Sequence, residues 1–358
     1  LFGNSANRGG GLHAEGSGTI SVYLENGVKI NDNNAGDGGG IYLGRNAALE
    51  WAGNEAQMWF NRSTGRGGGV FVADDATADV RVRGLYDPAS RGYHASIYGN
   101  QARKGGAFAA GKGARIRVAA TDPITPTVVA YNTATENGGA FHLGGGSKVC
   151  INESAVIGNS ANRGAAVYGV PTDQSFPLGN WLEVNTRQCG FPIAAWCARG
   201  ILCSRFEGNQ AHTGAVIDFE GGVHYFEIER TRFSGNRGSH LLYVGEGTSG
   251  MFIRRNLIVG NQFAAVLKAD AGSMHFSRNT VADNTLLDVL DVEFRPHAVG
   301  DVEVSANLVV QPGAPVLRYT GQEPFFGNVY DNLTHDANLA LWNPANLTGT
   351  PVFDHARG

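Results

Sequence analysis

The chain has 358 residues, 28 Lys plus Arg, 32 Asp plus Glu and a formal net charge of −4. With no clustered basic run, it does not read as a nucleic-acid-binding protein. Hydrophobic residues make up 42% and charged residues 17%, and 18 Phe and 11 Tyr accompany the 52 glycines, a balance that excludes a disordered Gly-rich chain.

The repeat begins at once. LFGNSANRGGGLH is followed by INDNNAGDGGGIY, FNRSTGRGGGVF, YGNQARKGGAF, YNTATENGGAF, IGNSANRGAAVY, EGNQAHTGAVI and SGNRGSHLLYV. Ten asparagines keep the register: Asn4, Asn33, Asn61, Asn100, Asn132, Asn159, Asn209, Asn236, Asn261 and Asn284. We expect each to sit at a coil corner, to adopt left-handed backbone angles, and to bond its amide to the Asn of the coils above and below.

After each corner comes the column Gly10, Gly39, Gly68, Gly106, Gly139, Ala165, Ala215, Leu242, Leu267, Leu290. Its apolar neighbour runs Leu12, Ile41, Val70, Phe108, Phe141, Val167, Ile217, Val244, Ala269, Val292, as expected of a strand facing an enclosed core. The change from Gly to Leu suggests broad early coils with a tight Gly corner and narrower late coils with an aliphatic one.

Later coils show a further strand, as in HYFEIERTRFSGN and MFIRRNLIVGN. Phe226, Met251, Met274 and Val302 form one inward column, and Ile228, Ile253, Phe276 and Val304 another. Thr231, Asn256, Asn279, Asn307 and Asn332 form a second polar ladder. Period-two alternation without a helical moment predicts an all-β, right-handed parallel β-helix of roughly eleven coils, about 50 Å long at about 4.8 Å per coil.

The solenoid is expected to span residues 1–310, with insertions at about 84–96 and 169–200. A Pro-containing segment, 311–358, reads as a cap or exit. The chain opens in mid-repeat with Leu1-Phe2-Gly3-Asn4 and no signal peptide, so earlier coils are expected to be missing or processed away. No apolar run approaches the roughly 20 residues of a membrane helix.

The F-x-x-N and G-G-A-[ILVF] motifs, seen at Phe206–Asn209, Phe233–Asn236, Gly105–Phe108 and Gly138–Phe141, resemble the repeats of chlamydial-type polymorphic outer membrane proteins. They are also similar to bacterial secreted β-helix proteins more widely. The resemblance implies a surface-displayed, autotransporter-like and often adhesive module.

Cys150, Cys189, Cys197 and Cys203 are clustered, and their spacing favours disulfides pinning the longer insertion over free thiols or a metal site. The favoured pairing is Cys189 with Cys197 and Cys150 with Cys203, with an extracellular or cell-surface location following. On the insertions, Trp181 and Trp196, and Tyr86, Tyr93 and His94, are candidates for stacking on sugars or a partner protein; sealing the loop onto the solenoid is the alternative. Arg230, Arg255 and Arg278 recur at one position in three coils, either as a charge ladder balanced by Glu227, Glu229 and Glu303 or as a strip for an anionic glycan.

Enzymatic constellations are thin. Asp74–Asp75 stand without companion motifs, and Asp288, Asp291, Glu293, Arg295 and His297 fit a solvated face. The expectation is a structural or adhesive surface module presenting loops to a glycan or protein partner, without cofactor or metal. The alternative is a polysaccharide lyase or glycoside hydrolase with its acids in a groove.

Overall fold

The computed structural model describes residues 1–84, 86–87, 92–93, 95–120, 126–171, 179–185, 203–221, 223–246, 248, 250–269, 273–294, 302–310, 317–321, 327–330, 332–334 and 347–348. Each early coil contributes four short strands, for example Ser5–Arg8, Leu12–Ala14, Ile20–Leu24 and Lys29–Asn31. Stacking in parallel produces a 7-stranded strip from the first of these and three long sheets of 11, 11 and 12 strands from the others. We call these the short strip and the first, second and third sheets. The result is the expected all-β parallel solenoid; it closes about nine turns, slightly fewer than anticipated.

Alternation builds the core. Along the second sheet the inward columns Phe226–Met251–Met274–Val302 and Ile228–Ile253–Phe276–Val304 are in register, as the sequence pattern implies. Aromatic side chains stack coil on coil inside, Phe108 on Phe141 with ring centres 5.2 Å apart and Phe206 on Phe233 at 5.2 Å. These fully buried rings remove large apolar areas from water, the main favourable term in a repeat whose coils contact only their neighbours.

The Asn ladder forms as expected. From Asn4 to Asn261 each Nδ2 donates to the Oδ1 of the Asn in the next coil at 2.9–3.1 Å, and each backbone N–H donates to that same oxygen at 2.9–3.1 Å. The second Nδ2 hydrogen goes to a carbonyl of the coil behind, as from Asn132 to Ile97 O at 3.2 Å. One buried amide thus satisfies the polar groups of a corner that water cannot reach.

The backbone assignment at that corner needs correcting. The left-handed residue is the one before the Asn: Gly3, Asp32, Phe60, Gly99, Tyr131, Gly158, Gly208, Gly235, Gly260 and Asp283. At the second corner Arg230, Arg255, Arg278 and Ala306 hold that conformation, each directly before a residue of the second polar ladder. The reversal is thus made one residue early, leaving the Asn side chain pointed along the stack.

Register also departs from the sequence expectation at Leu242. Ile217 pairs with Leu242 rather than Val244, and Leu267 and Leu290 follow Leu242. These leucines therefore continue the core column of Leu12, and no corner changes from Gly to Leu. The cause is a two-residue shortening: eight positions separate Asn209 from Ile217, six separate Asn236 from Leu242. It occurs where the short strip ends, its last strand being Gln210–Ala211. The early coils do carry the extra side, supplied by this strip.

Of the shorter insertion, Tyr86–Asp87 and Gly92–Tyr93 pair antiparallel, Tyr86 opposite Tyr93; His94 lies outside the described residues. The stack runs on past Val310 into the segment read as a cap: Leu317–Gly321 joins the first sheet, Gly327–Tyr330 the second, and Leu333–Thr334 and Leu347–Thr348 the third.

Candidate functional site: the outer face of the second sheet

Parallel in-register stacking turns one outward position per coil into a continuous row. On the second sheet that row reads Tyr23, Glu50, Asp79, Arg117, Cys150, Glu183, Glu227, Phe252, His275, Glu303. The preceding outward row includes Ser21, Ala48, Thr77, Arg115, Lys148, Trp181 and Tyr225. No local motif announces this surface, because its neighbours in space lie a whole coil apart in sequence.

Over the early coils the face is concave. A groove of about 300 Å³ is lined by Tyr23, Glu50, Asp79, Arg115 and Arg117 among others. Arg81 reaches Glu50 at 2.5 Å and Asp79 at 3.4 Å, and Arg117 lies 3.7 Å from Asp79. Burial pushes the Asp79 carboxyl above the usual carboxylate range, with Glu50 adding to the rise and the two arginines opposing it. Tyr23 stands 70% exposed at the edge.

Further along, rings form rungs. Trp181 lies 5.5 Å from Tyr225, Tyr225 5.9 Å from Phe252, and Phe252 stacks on His275 at 4.9 Å. Each ring is held. Lys148 Nζ sits 4.7 Å over the Trp181 ring and bonds Glu183 at 2.6 Å; the Tyr225 hydroxyl donates to Glu227 at 2.6 Å. Arg254 pairs with Glu227 and covers Phe252 at 5.3 Å, and His275 meets Glu303 at 2.9 Å. The Tyr225 phenol is pushed up by burial and by its bond to Glu227. Glu183 and Glu227 are buried, so here the acids orient cations and rings, and the rings stay partly exposed.

Of the candidates from the sequence, Trp181 belongs to this face. Arg230, Arg255 and Arg278 lie at the adjoining corner, where Glu229 pairs with Arg230 at 3.0 Å and Arg255 at 2.6 Å, and Arg278 is exposed. Cys150 and Cys203 are each in a disulfide but do not lie on adjacent strands; Cys189, Cys197 and Trp196 lie outside the described residues. Asp74 accepts from the Lys112 N–H at 2.8 Å and Asp75 pairs with Arg45 at 3.2 Å, which ties turns together. Among the described residues no group of His, Cys, Asp and Glu is arranged to hold a metal.

A different cluster packs where the short strip meets the first sheet. Arg8, Arg66 and Arg163 reach over Tyr42, Phe71 and Tyr168, at 5.0, 4.1 and 5.6 Å, which buries outward residues of the first sheet. His142 is caught in the same row, 5% exposed, stacked on Tyr168 at 5.4 Å, with neither ring nitrogen hydrogen-bonded. Burial, reinforced by Lys104, Arg66 and Arg103, lowers its pKa from 6.5 to about 3.

The neutral ring is therefore favoured in the fold, whereas the unfolded chain gains a proton as pH drops through 6.5. This contribution to stability is complete above pH 6.5 and is lost progressively as pH falls towards 3. Urea midpoints measured from pH 7 to pH 3.5 should fall, and His142→Phe should flatten part of that slope. An identical pH profile in the variant would show that His142 is not buried as neutral imidazole.

No protein-family model, curated protein or solved structure matches the chain.

Proposed function

We propose that this chain is a secreted or cell-surface β-helix module that binds a glycan along the outer face of its second sheet. The observation that carries this is the run of ring contacts Trp181–Tyr225–Phe252, half-buried, held by flanking cations and acids, and continuous with a polar groove at Tyr23, Glu50, Asp79, Arg115 and Arg117. Aromatic faces stack on the apolar faces of sugar rings, while flanking charged groups bond the hydroxyls. The disulfide-bonded Cys150 and Cys203 fit an oxidising compartment. The repeat motifs' resemblance to polymorphic outer membrane protein passengers points the same way.

Screening the chain on a glycan array and titrating the best hit should give binding that Trp181→Ala weakens by about tenfold, the share of one well-seated aromatic ring. Absence of any hit, or an unchanged Trp181→Ala, sinks this reading. One observation favours cleavage instead: Asp79, its pKa raised, stands in register with Glu50 inside the groove, an arrangement suited to acid–base work on a glycosidic bond. New reducing ends released by the parent but not by Asp79→Asn would establish that reading.

A further inference from the structure

We propose that the corner carrying Trp59, Phe60, Tyr98 and Tyr131 is a second binding platform, for an extended uncharged β-linked glycan. It lies where the third sheet meets the short strip, separated from the second-sheet face by the width of the third sheet.

Backbone strain marks the place. The left-handed position before each ladder Asn is Gly in six coils and Asp in two, and only Phe60 and Tyr131, at φ of 54° each, are bulky there. A large side chain in that conformation costs about 1–3 kcal/mol, so these two rings are kept against the preference of the corner. They alternate with glycines. Phe60 lies over Gly99, where an added Cβ would come within 2.7 Å of the ring, and Tyr131 lies over Gly158, where it would come within 2.5 Å. Each ring therefore occupies the space that a side chain on the next coil's glycine would need.

Phe60 remains 46% and Tyr131 56% exposed. Tyr98 stands edge-on between them, its ring centre 5.4 Å from Phe60 and 5.6 Å from Tyr131. Trp59 packs against Tyr98 at 6.2 Å, its indole N–H tied to Ala95 O at 2.7 Å.

Phe60 and Tyr131 are two coils apart, about 9.6 Å at the spacing of stacked strands. That suits alternate rings of an extended β-linked sugar chain. Beside them the outward row of the short strip reads Asn34, Arg62, Gln101, Thr133, amides and hydroxyls with one cation and no acid, which matches a hydroxyl-rich uncharged ligand. Four partly exposed rings are too small for a stable protein interface, which needs on the order of 1,000 Å².

Phe60→Gly/Tyr131→Gly supplies the test, because Gly suits the left-handed corner and the variant should fold at least as well as the parent. With cellohexaose as calorimetric probe, and hydroxyethyl cellulose and glucomannan in affinity gels, the parent should bind and the double variant should lose about tenfold or more. Phe60→Tyr should stay within about twofold. In a Trp181→Ala background, where the second-sheet face is already impaired, the double Gly substitution should still cost about tenfold, which separates this platform from the second-sheet face. Failure of the parent to bind any of the three probes overturns the proposal. So does binding indifferent to the double Gly substitution, or a concentration-dependent dimer that this substitution dissolves.

Discussion

Gly139→Leu should prevent the early coils from stacking, lowering stability by about 3–4 kcal/mol or abolishing soluble expression. A Cβ on Gly139 would lie 2.4 Å from Ala165 O and 2.8 Å from both N and O of Ser160. All three are backbone atoms of the next coil, and they cannot rotate away as a side chain would. Relief requires the coils to part, which breaks hydrogen bonds such as Gly139 N–H to Gly164 O at 3.1 Å. Gly18→Leu, at a position with nothing within 4 Å, should be close to neutral. Thermal melts by circular dichroism compare the two; equal midpoints would contradict the close approach of coils at this column.

Asn132→Asp should be nearly as damaging, about 3–5 kcal/mol at neutral pH, because it buries a charge where two donors are needed. Asn132 is fully buried; its Nδ2 serves Asn159 Oδ1 at 3.0 Å and Ile97 O at 3.2 Å, while its Oδ1 accepts from Asn100. Aspartate keeps the acceptor and sets a second oxygen against two others. Protonation restores one donor, so the deficit relative to the parent should shrink between pH 7 and pH 4, as urea midpoints would register. A deficit constant with pH would mean that the donor function of the ladder is not what the substitution removes.

The ladder was legible because its requirement recurs: every coil needs a buried amide at the same place, so Asn4 to Asn284 stand out in one sequence. The left-handed residue beside it was not legible, since Gly, Asp, Phe and Tyr all occupy that position in this chain. Register was legible wherever connections kept their length, and slipped by two at Leu242 because Leu242 and Val244 are equally apolar; only the pairing of Ile217 distinguishes them. Of the candidate binding residues, Trp181 stood out as an aromatic, but on an inserted loop; it lies instead on Asn180–Val184, a strand of the second sheet. Its companions did not: Tyr225 and Phe252 read as ordinary members of HYFEIE and MFIR, and only contacts between coils join them to Trp181. The corner rings Phe60 and Tyr131 escaped for the same reason, each appearing singly beside a repeated Asn.

In hydroxyl-radical footprinting with the best glycan-array ligand, saturating ligand should protect Trp181, Tyr225 and Phe252, together with Tyr23 at the groove, from oxidation. Unchanged oxidation of those four residues in a complex of confirmed occupancy would contradict binding on the second-sheet face.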